Sequence, residues 1–226
     1  MVKKSPILSA DFKNHTTNVN NFVDKALGSS LVQSCILIKF VIVNFENMFK
    51  LFGKKKITED VVANIFVNSI IDTIDKGFLE VAGIINDAPE FVVSPAISAE
   101  DDNAFTLIVI AANLHYIPHH VKNEQAERVA DLIITKLGRV FDCEATQLAA
   151  TLKEYERFLM KKNLPSKNMN YAISKGIFWK YNLNEFQDKY FKNLKSPNPM
   201  FLKTLDKAMD NFIWNWTAFM EKHQIV

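Results

Sequence analysis

The fold class follows from residues 121–165, whose sequence is VKNEQAERVADLIITKLGRVFDCEATQLAATLKEYERFLMKKNLP. Apolar side chains recur here in steps of three and four, which places them on one face of each of two α-helices. Asp142 is the predicted N-cap of the second helix, and Pro165 follows its predicted end. The two stripes are Val121, Val129, Leu132, Ile133, Leu137 and Val140, and then Leu148, Leu152, Tyr155 and Leu159.

Start and stop signals predict further helices downstream of this pair. One helix is expected to open at Ser166, and the chain is expected to restart a helix at Asn184. The last helix should begin with Asn198 as its N-cap and Pro199 in its first turn, because the fixed backbone angle of proline suits that position.

Upstream, the same signals predict helices over residues 16–27 and 31–52 and a long third helix that follows the N-cap Thr58. Gly77 and Gly83 are positions where the third helix could bend or split.

The connection 86–98 contains two prolines and is expected to be extended. Ser98 and Asp101 resemble a capping box at the start of the next element. Residues 104–112 are apolar and partly β-branched, so their periodicity does not distinguish a buried helix from a strand. We predict a helix there, because no matching strand is evident elsewhere in the sequence.

Together these elements predict an all-α protein, a single globular bundle of about seven to nine helices. The low glycine and proline content, 6 and 7 residues, also favours long helices over many turns. Residues 1–15 are expected to form a flexible N-terminal tail, and residues 16–226 a single helical domain. The connection 86–98 is the alternative place for a sub-boundary within it.

Charge and targeting signals limit the classes of partner. The net charge of +2 does not demand a polyanionic partner, and Lys39 interrupts the apolar segment 31–52, so a membrane span is disfavoured. Cys35 and Cys143 belong to no CxxC pair, which favours two reduced thiols. The N-terminus is polar and lacks the apolar core of a secretory signal, so we expect a cytoplasmic protein.

A metal site is one candidate for chemistry, with His115, His119, His120 and Glu124 as its predicted ligands. Neutral imidazoles and a carboxylate are the donors that zinc or iron would need. Pro118 lies between them and predicts a corner between two helices at this point, because proline removes a backbone donor.

Trp214 is the predicted interface residue. The apolar side of the last helix is Leu202, Leu205, Met209, Phe212, Trp216 and Phe219. In one continuous helix Trp214 would lie about 200° from Trp216, on the polar side. A tryptophan exposed there predicts contact with another chain, and the alternative is that a segment of the same chain covers it.

These observations predict a non-enzymatic protein that works by association with another protein or with itself; its Phe- and Met-rich interior could also enclose a small apolar ligand. Catalytic motifs for nucleophiles or nucleotides are missing from the sequence, and no cofactor is predicted. A metal-dependent enzyme at His115–His120 is the alternative from another class. Nucleic-acid binding is a second, disfavoured alternative, based on Tyr171, Phe178, Trp179, Tyr181, Tyr190 and Phe191, which alternate with Lys175, Lys180, Lys189 and Lys192.

Overall fold

A computed structural model of the protein describes residues 54–164 and 168–226, of which 74% are helical. This confirms the predicted all-α bundle. In chain order the elements are β1 Lys55–Ile57, α1 Glu59–Asn86, α2 Asn103–His120, α3 Asn123–Val140, α4 Ala145–Asn163, α5 Met169–Lys180, a 3₁₀ helix Leu183–Phe186, α6 Lys189–Leu194, α7 Pro199–Met209, a 3₁₀ helix Asp210–Phe212, α8 Trp216–Lys222 and β2 His223–Ile225.

Several predictions concern parts of the chain outside the described residues. These are the tail 1–15, the helices 16–27 and 31–52, and the state of Cys35. The division into domains therefore stays a prediction, although residues 54–226 belong to one compact unit.

The core lies where α2 packs against α4 and α5, while α1 packs against α3 and α5 packs against α7. Burial of each large apolar side chain contributes about 1.5–3 kcal/mol to stability. The segment 104–112 is helical, as predicted, and it is buried around most of its circumference. A helix buried on all sides has no polar face, which explains why its periodicity was uninformative. The largest fully buried side chains include Phe66, Phe105, Ile108, Ile133, Leu137, Phe178 and Phe201.

Two predicted N-caps are confirmed by their hydrogen bonds. The Thr58 hydroxyl accepts from the N–H of Val61 at 3.4 Å, and the Asn198 side chain accepts from the N–H of Met200 at 2.9 Å. Pro199 occupies the first turn of α7, as predicted.

Two predicted helix starts are wrong. The helix α4 begins at Ala145 instead of after Asp142, because the N–H of Cys143 donates to the carbonyl of Gly138 at 2.9 Å and closes a turn. Asp142 lies in this turn with a φ of 52°. The helix α6 begins at Lys189, after the 3₁₀ helix that contains Asn184. The predicted start at Ser166 lies outside the described residues, and α5 has Asn168 as its N-cap.

The start of α2 is capped by a residue distant in sequence. Asp101 accepts from the N–H of Ser98 at 2.8 Å and from its hydroxyl at 2.9 Å, so the predicted pair interacts, but α2 begins only at Asn103. The Tyr181 hydroxyl accepts from the N–H of Phe105 at 3.2 Å and donates to the carbonyl of Asp101 at 2.5 Å. Burial raises the pKa of Tyr181 to about 12, so the hydroxyl stays protonated and donates at neutral pH.

The prediction of one continuous C-terminal helix is wrong. The chain leaves α7 at Met209, passes through the 3₁₀ helix Asp210–Phe212 and starts α8 at Trp216. Asn113, which is fully buried in α2, donates to the carbonyl of Phe212 at 2.7 Å and accepts from the N–H of Trp214 at 2.8 Å. These bonds satisfy backbone groups that a continuous helix would have paired internally, and so they stabilise the break.

The C-terminal strand returns to the beginning of this unit. Strands β1 and β2 pair in parallel, with Lys55 opposite His223 and Ile57 opposite Ile225, and the N–H of Val226 donates to the carbonyl of Ile57 at 2.9 Å.

Neither Gly77 nor Gly83 splits α1, which continues from Glu59 to Asn86. The two glycines differ in their surroundings. A Cβ atom at Gly77 would lie 2.5 Å from Cζ of Phe212, whereas a Cβ atom at Gly83 would meet no atom within 4 Å. Gly77 is therefore required for packing, and Gly83 is not.

We expect Gly77→Ala to lower the free energy of unfolding by about 1–3 kcal/mol, because the added methyl group overpacks the core against the Phe212 ring. Gly83→Ala should raise it by about 0.5–1 kcal/mol through helix propensity. Urea unfolding of both variants measures these changes, and equal effects at the two positions would contradict the packing described here.

We expect Asn113→Leu to destabilise the protein by at least about 2 kcal/mol, because it leaves the Phe212 carbonyl and the Trp214 N–H buried without these partners. Asn64→Leu is the matched control: Asn64 is exposed on α1 and bonds only Asp60. That change should stay within about 0.5 kcal/mol of the wild type. Similar urea midpoints for the two variants would argue against a structural role for Asn113.

Candidate functional site

The predicted corner at Pro118 is wrong, because α2 continues through Pro118 to His120. Pro118 is exposed and lies in the last turn, where its missing N–H removes one hydrogen bond just before the helix ends. The corner itself follows His120, where Val121 and Lys122 connect α2 to α3.

In this helix the predicted histidine ligands contact different residues. His115 and His119 share a face of α2, with ring centroids 5.5 Å apart, and Nδ1 of His115 lies 2.9 Å from Oε1 of Glu156 on α4. His120 instead stacks on Trp216 of α8, at 6.3 Å between centroids. Burial, together with the neighbouring His119, lowers the pKa of His120.

Glu124 belongs to the next helix, α3, where it is exposed. Glu59 is the main cause of the raised pKa of Arg128, and the charge of Glu124 raises this pKa further. Among the described residues, no three His, Cys, Asp or Glu side chains are arranged as a metal site.

Trp214 does not lie on the polar side of a helix, because the chain between Phe212 and Trp216 is not helical. Its ring lies 4.5 Å from that of Trp216, 4.9 Å from that of Phe66 and 4.9 Å from that of Phe219, measured between centroids. Trp214 is half-buried in this aromatic cluster, while Trp216 is only 2% exposed. The role of Trp214 at an interface stays a prediction.

The aromatic residues predicted to bind nucleic acid have different surroundings. Phe178 is fully buried, and Tyr181 caps α2. Tyr171 and Trp179 are partly exposed on α5, where lysine ammonium groups lie over their rings. Tyr190 and Phe191 belong to α6.

Three lysines and four rings on α4 and α5 form what we call the lysine–aromatic face. Nζ of Lys180 lies 4.0 Å from the ring centroid of Tyr155 and 5.2 Å from that of Phe158. Nζ of Lys162 lies 5.6 Å from the Phe158 centroid and 4.2 Å from that of Trp179. Nζ of Lys175 lies 4.4 Å from the centroid of Tyr171.

The α4 part of this face was missed by sequence reasoning. Tyr155, Phe158 and Lys162 are separated by three and four residues, and that spacing places them on one side of a helix. The spacing was a usable signal, but the same spacing also describes an ordinary core-facing stripe.

A second surface surrounds the buried side chain of Gln187. Phe91 forms an antiparallel bridge with Gln187, and the N–H of Val92 donates to the carbonyl of Phe186 at 2.8 Å. The amide of Gln187 donates to the carbonyl of Ser196 at 2.9 Å. Exposed apolar side chains project from these adjoining segments. We call them the Gln187 surface: Val92, Val93, Tyr190, Leu194 and Met200.

Two clefts in the described part of the chain have linings that mix polar and apolar side chains. The first, of about 600 Å³, lies at the turn between α3 and α4 and is lined by Thr135, Gly138, Arg139, Asp142, Cys143, Glu144, Ala145 and Gln147. The second, of about 230 Å³, lies beside α5 and α7 and includes Lys175 and Asp206. Neither lining includes a phenylalanine or a methionine, and the predicted apolar ligand stays a prediction.

Asp206 is the titratable group of the second cleft with a perturbed pKa. Burial raises the pKa of Asp206, and the charge of Asp210 raises it further. The nearby Ser174 hydroxyl partly offsets this rise. Oδ1 of Asp206 is buried without a hydrogen-bond partner among the described residues. The ionised carboxylate is therefore disfavoured in the folded protein.

Comparisons of the chain with protein-family models, with curated proteins and with solved structures found no match. Within residues 54–164 and 168–226, no helix combines the length and apolar character needed to cross a membrane.

We expect Asp206→Asn to stabilise the protein at pH 7, because it removes a charge that is poorly solvated in the folded state. The pKa of Asp206 is higher in the folded than in the unfolded chain. Protonated Asp206 therefore stabilises the folded protein fully below its ordinary pKa of 3.8. This stabilisation is lost as the pH rises through the higher pKa of Asp206 in the folded protein.

The advantage of Asp206→Asn should accordingly shrink as the pH falls towards 3.8. Urea unfolding at neutral and acid pH measures this trend, with Asp75→Asn as the control at an exposed aspartate of α1. A pH-independent difference between wild type and Asp206→Asn would contradict the proposed cause.

Proposed function

We propose that the protein functions by protein–protein association, with a second copy of itself as the partner and the Gln187 surface as the contact. The observation that carries this proposal is the exposure of large apolar side chains on adjoining segments. Val92, Val93, Tyr190 and Met200 are 71%, 66%, 68% and 62% exposed. Apolar side chains grouped on a protein surface mark interaction sites more often than single ones do.

The backbone beneath this surface is held in place by one buried amide. Gln187 is 4% exposed; it donates to Asn184 and Ser196 and accepts from the N–H of Asn198 at 2.7 Å. These bonds connect the segments before and after α6, so the apolar side chains project from an ordered backbone. Association then orders few additional groups, which lowers its entropic cost.

Charges of both signs border the apolar side chains. Lys189 is exposed next to Tyr190, and Glu90 lies two residues before Val92. A two-fold interface places each surface against an identical one, so it requires both signs on the same surface. Lys189 of one copy opposite Glu90 of the other would meet that requirement, which favours a second copy over a strongly charged partner.

The proposal includes a cytoplasmic location. Cys143 is an exposed, unbridged thiol, and exposed thiols suit a reducing compartment.

The mass of the full chain in solution tests the association. We expect light scattering at micromolar concentration to give twice the chain mass of 25.8 kDa. Leu194→Asp should shift the mass towards that of a single chain, because the interface would bury a carboxylate without a partner.

Leu79→Asp is the matched control, since Leu79 is an exposed leucine of α1. It should leave the mass unchanged. A wild-type protein that stays monomeric would overturn the proposal, and so would an equal loss of association in the two variants.

A further inference from the structure

The lysine–aromatic face contains every cation–π pair found among the described residues. Such pairs occur about once per 70–80 residues in proteins, so roughly two would be expected over this length. Here five pairs involve only Lys162, Lys175 and Lys180, all on α4 and α5. The concentration of these contacts on two neighbouring helices distinguishes this face from the rest of the described surface.

No carboxylate of the described residues forms an ion pair with a lysine of this face. The ion pairs in the described ranges involve Lys76, His115, Arg128, Lys136 and Lys192. Glu156 on α4 pairs with His115 instead. Burial lowers the pKa of Lys162, and the charges of Lys161 and Lys175 lower it further, which shows that these cations are close enough to repel one another.

Lys162 and Lys180 lie close to the same ring. Their Nζ atoms are 5.6 Å and 5.2 Å from the centroid of Phe158, so they are at most about 11 Å apart. Two ammonium groups this close together can bind phosphates of one short length of single strand.

We propose that the lysine–aromatic face binds single-stranded nucleic acid, independently of the Gln187 surface. Phosphates bind the ammonium groups of Lys162, Lys175 and Lys180, whose flexible stems let them move off the rings. The ring faces of Tyr171 and Trp179 then become available for stacking with bases. Interleaved cations and rings are the combination that holds single strands without sequence preference.

The interleaving favours nucleic acid over free phosphate or an anionic membrane. Inorganic phosphate and lipid headgroups would use the lysines and leave the rings without a role. A single strand presents phosphates and flat bases in alternation, and both components of the face contact it. Three phosphate contacts predict a slope of about −2 in a plot of log binding constant against log salt concentration.

The experiment uses the full chain and a fluorescein-labelled oligothymidylate of about ten nucleotides, followed by polarisation at two salt concentrations of about 50 and 200 mM. We expect saturable binding that weakens with salt at the stated slope. Trp179→Leu should weaken binding while keeping that slope, because it removes stacking and no charge.

The triple variant Lys162→Gln, Lys175→Gln and Lys180→Gln should weaken binding at least about tenfold. The matched control changes Lys122, Lys207 and Lys222, three exposed lysines outside the face, to Gln. The control alters net charge equally and should bind nearly as the wild type does. Circular dichroism establishes that each variant is folded.

Several outcomes would overturn the proposal. One is no binding of the oligonucleotide at low salt, and another is equal weakening in the two triple variants, which would indicate a non-specific charge effect. Displacement by inorganic phosphate at the same concentration as nucleotide phosphate would assign the face to phosphate alone. Binding to phosphatidylserine vesicles without binding to the oligonucleotide would assign it to membranes.

Discussion

The path of the last part of the chain depends on the side chain of Asn113. This amide is fully buried in α2, where it donates to the carbonyls of Val109 and Phe212 and accepts from the N–H of Trp214. A helix that ends inside a protein leaves backbone groups that water cannot reach, and each unpaired group costs about 1–3 kcal/mol. An amide has a donor and an acceptor, so this one side chain pairs with both a carbonyl and an N–H of the break. That is why α7 can end and α8 can begin in the core.

The break also determines the aromatic packing around it. It places the ring of Phe212 over Gly77, where no side chain of α1 could lie, and the ring of Trp214 against Phe66. A continuous helix would have carried Trp214 about 200° away from the Trp216 side, towards polar residues. After the break, α8 is followed by β2, which pairs with β1 at the start of this unit. One buried hydrogen-bonding group thus connects the central helix, the aromatic cluster and the end of the chain.

The separation in sequence between interacting groups explains which parts of the fold could be predicted. The caps at Thr58 and Asn198 were predictable, because each hydrogen bond closes within two or three residues. The break at Trp214 depends on Asn113, 101 residues earlier. No local pattern indicates that partner, and the apolar spacing continues unchanged across the break. The candidate metal site shows the same difference. Pro118 led to the prediction of a corner, whereas the fold keeps His115 and His119 on one face of α2 and brings Glu156 of α4 to His115.

The net charge of +2 gave no reason to expect a polyanionic partner. Net charge is a sum over the whole chain, however, whereas binding depends on the local charge of a surface. Carboxylates neutralise several cations directly, as Glu59 does for Arg128 through hydrogen bonds of 2.8–3.2 Å. A ring beneath an ammonium group stabilises the cation but leaves its full charge, and the hydrogens that point away from the ring can still bind an anion. Lys162 and Lys180 are held in this second way. These ammonium groups on the face shared by α4 and α5 therefore remain charged, although the composition of the whole chain is nearly neutral.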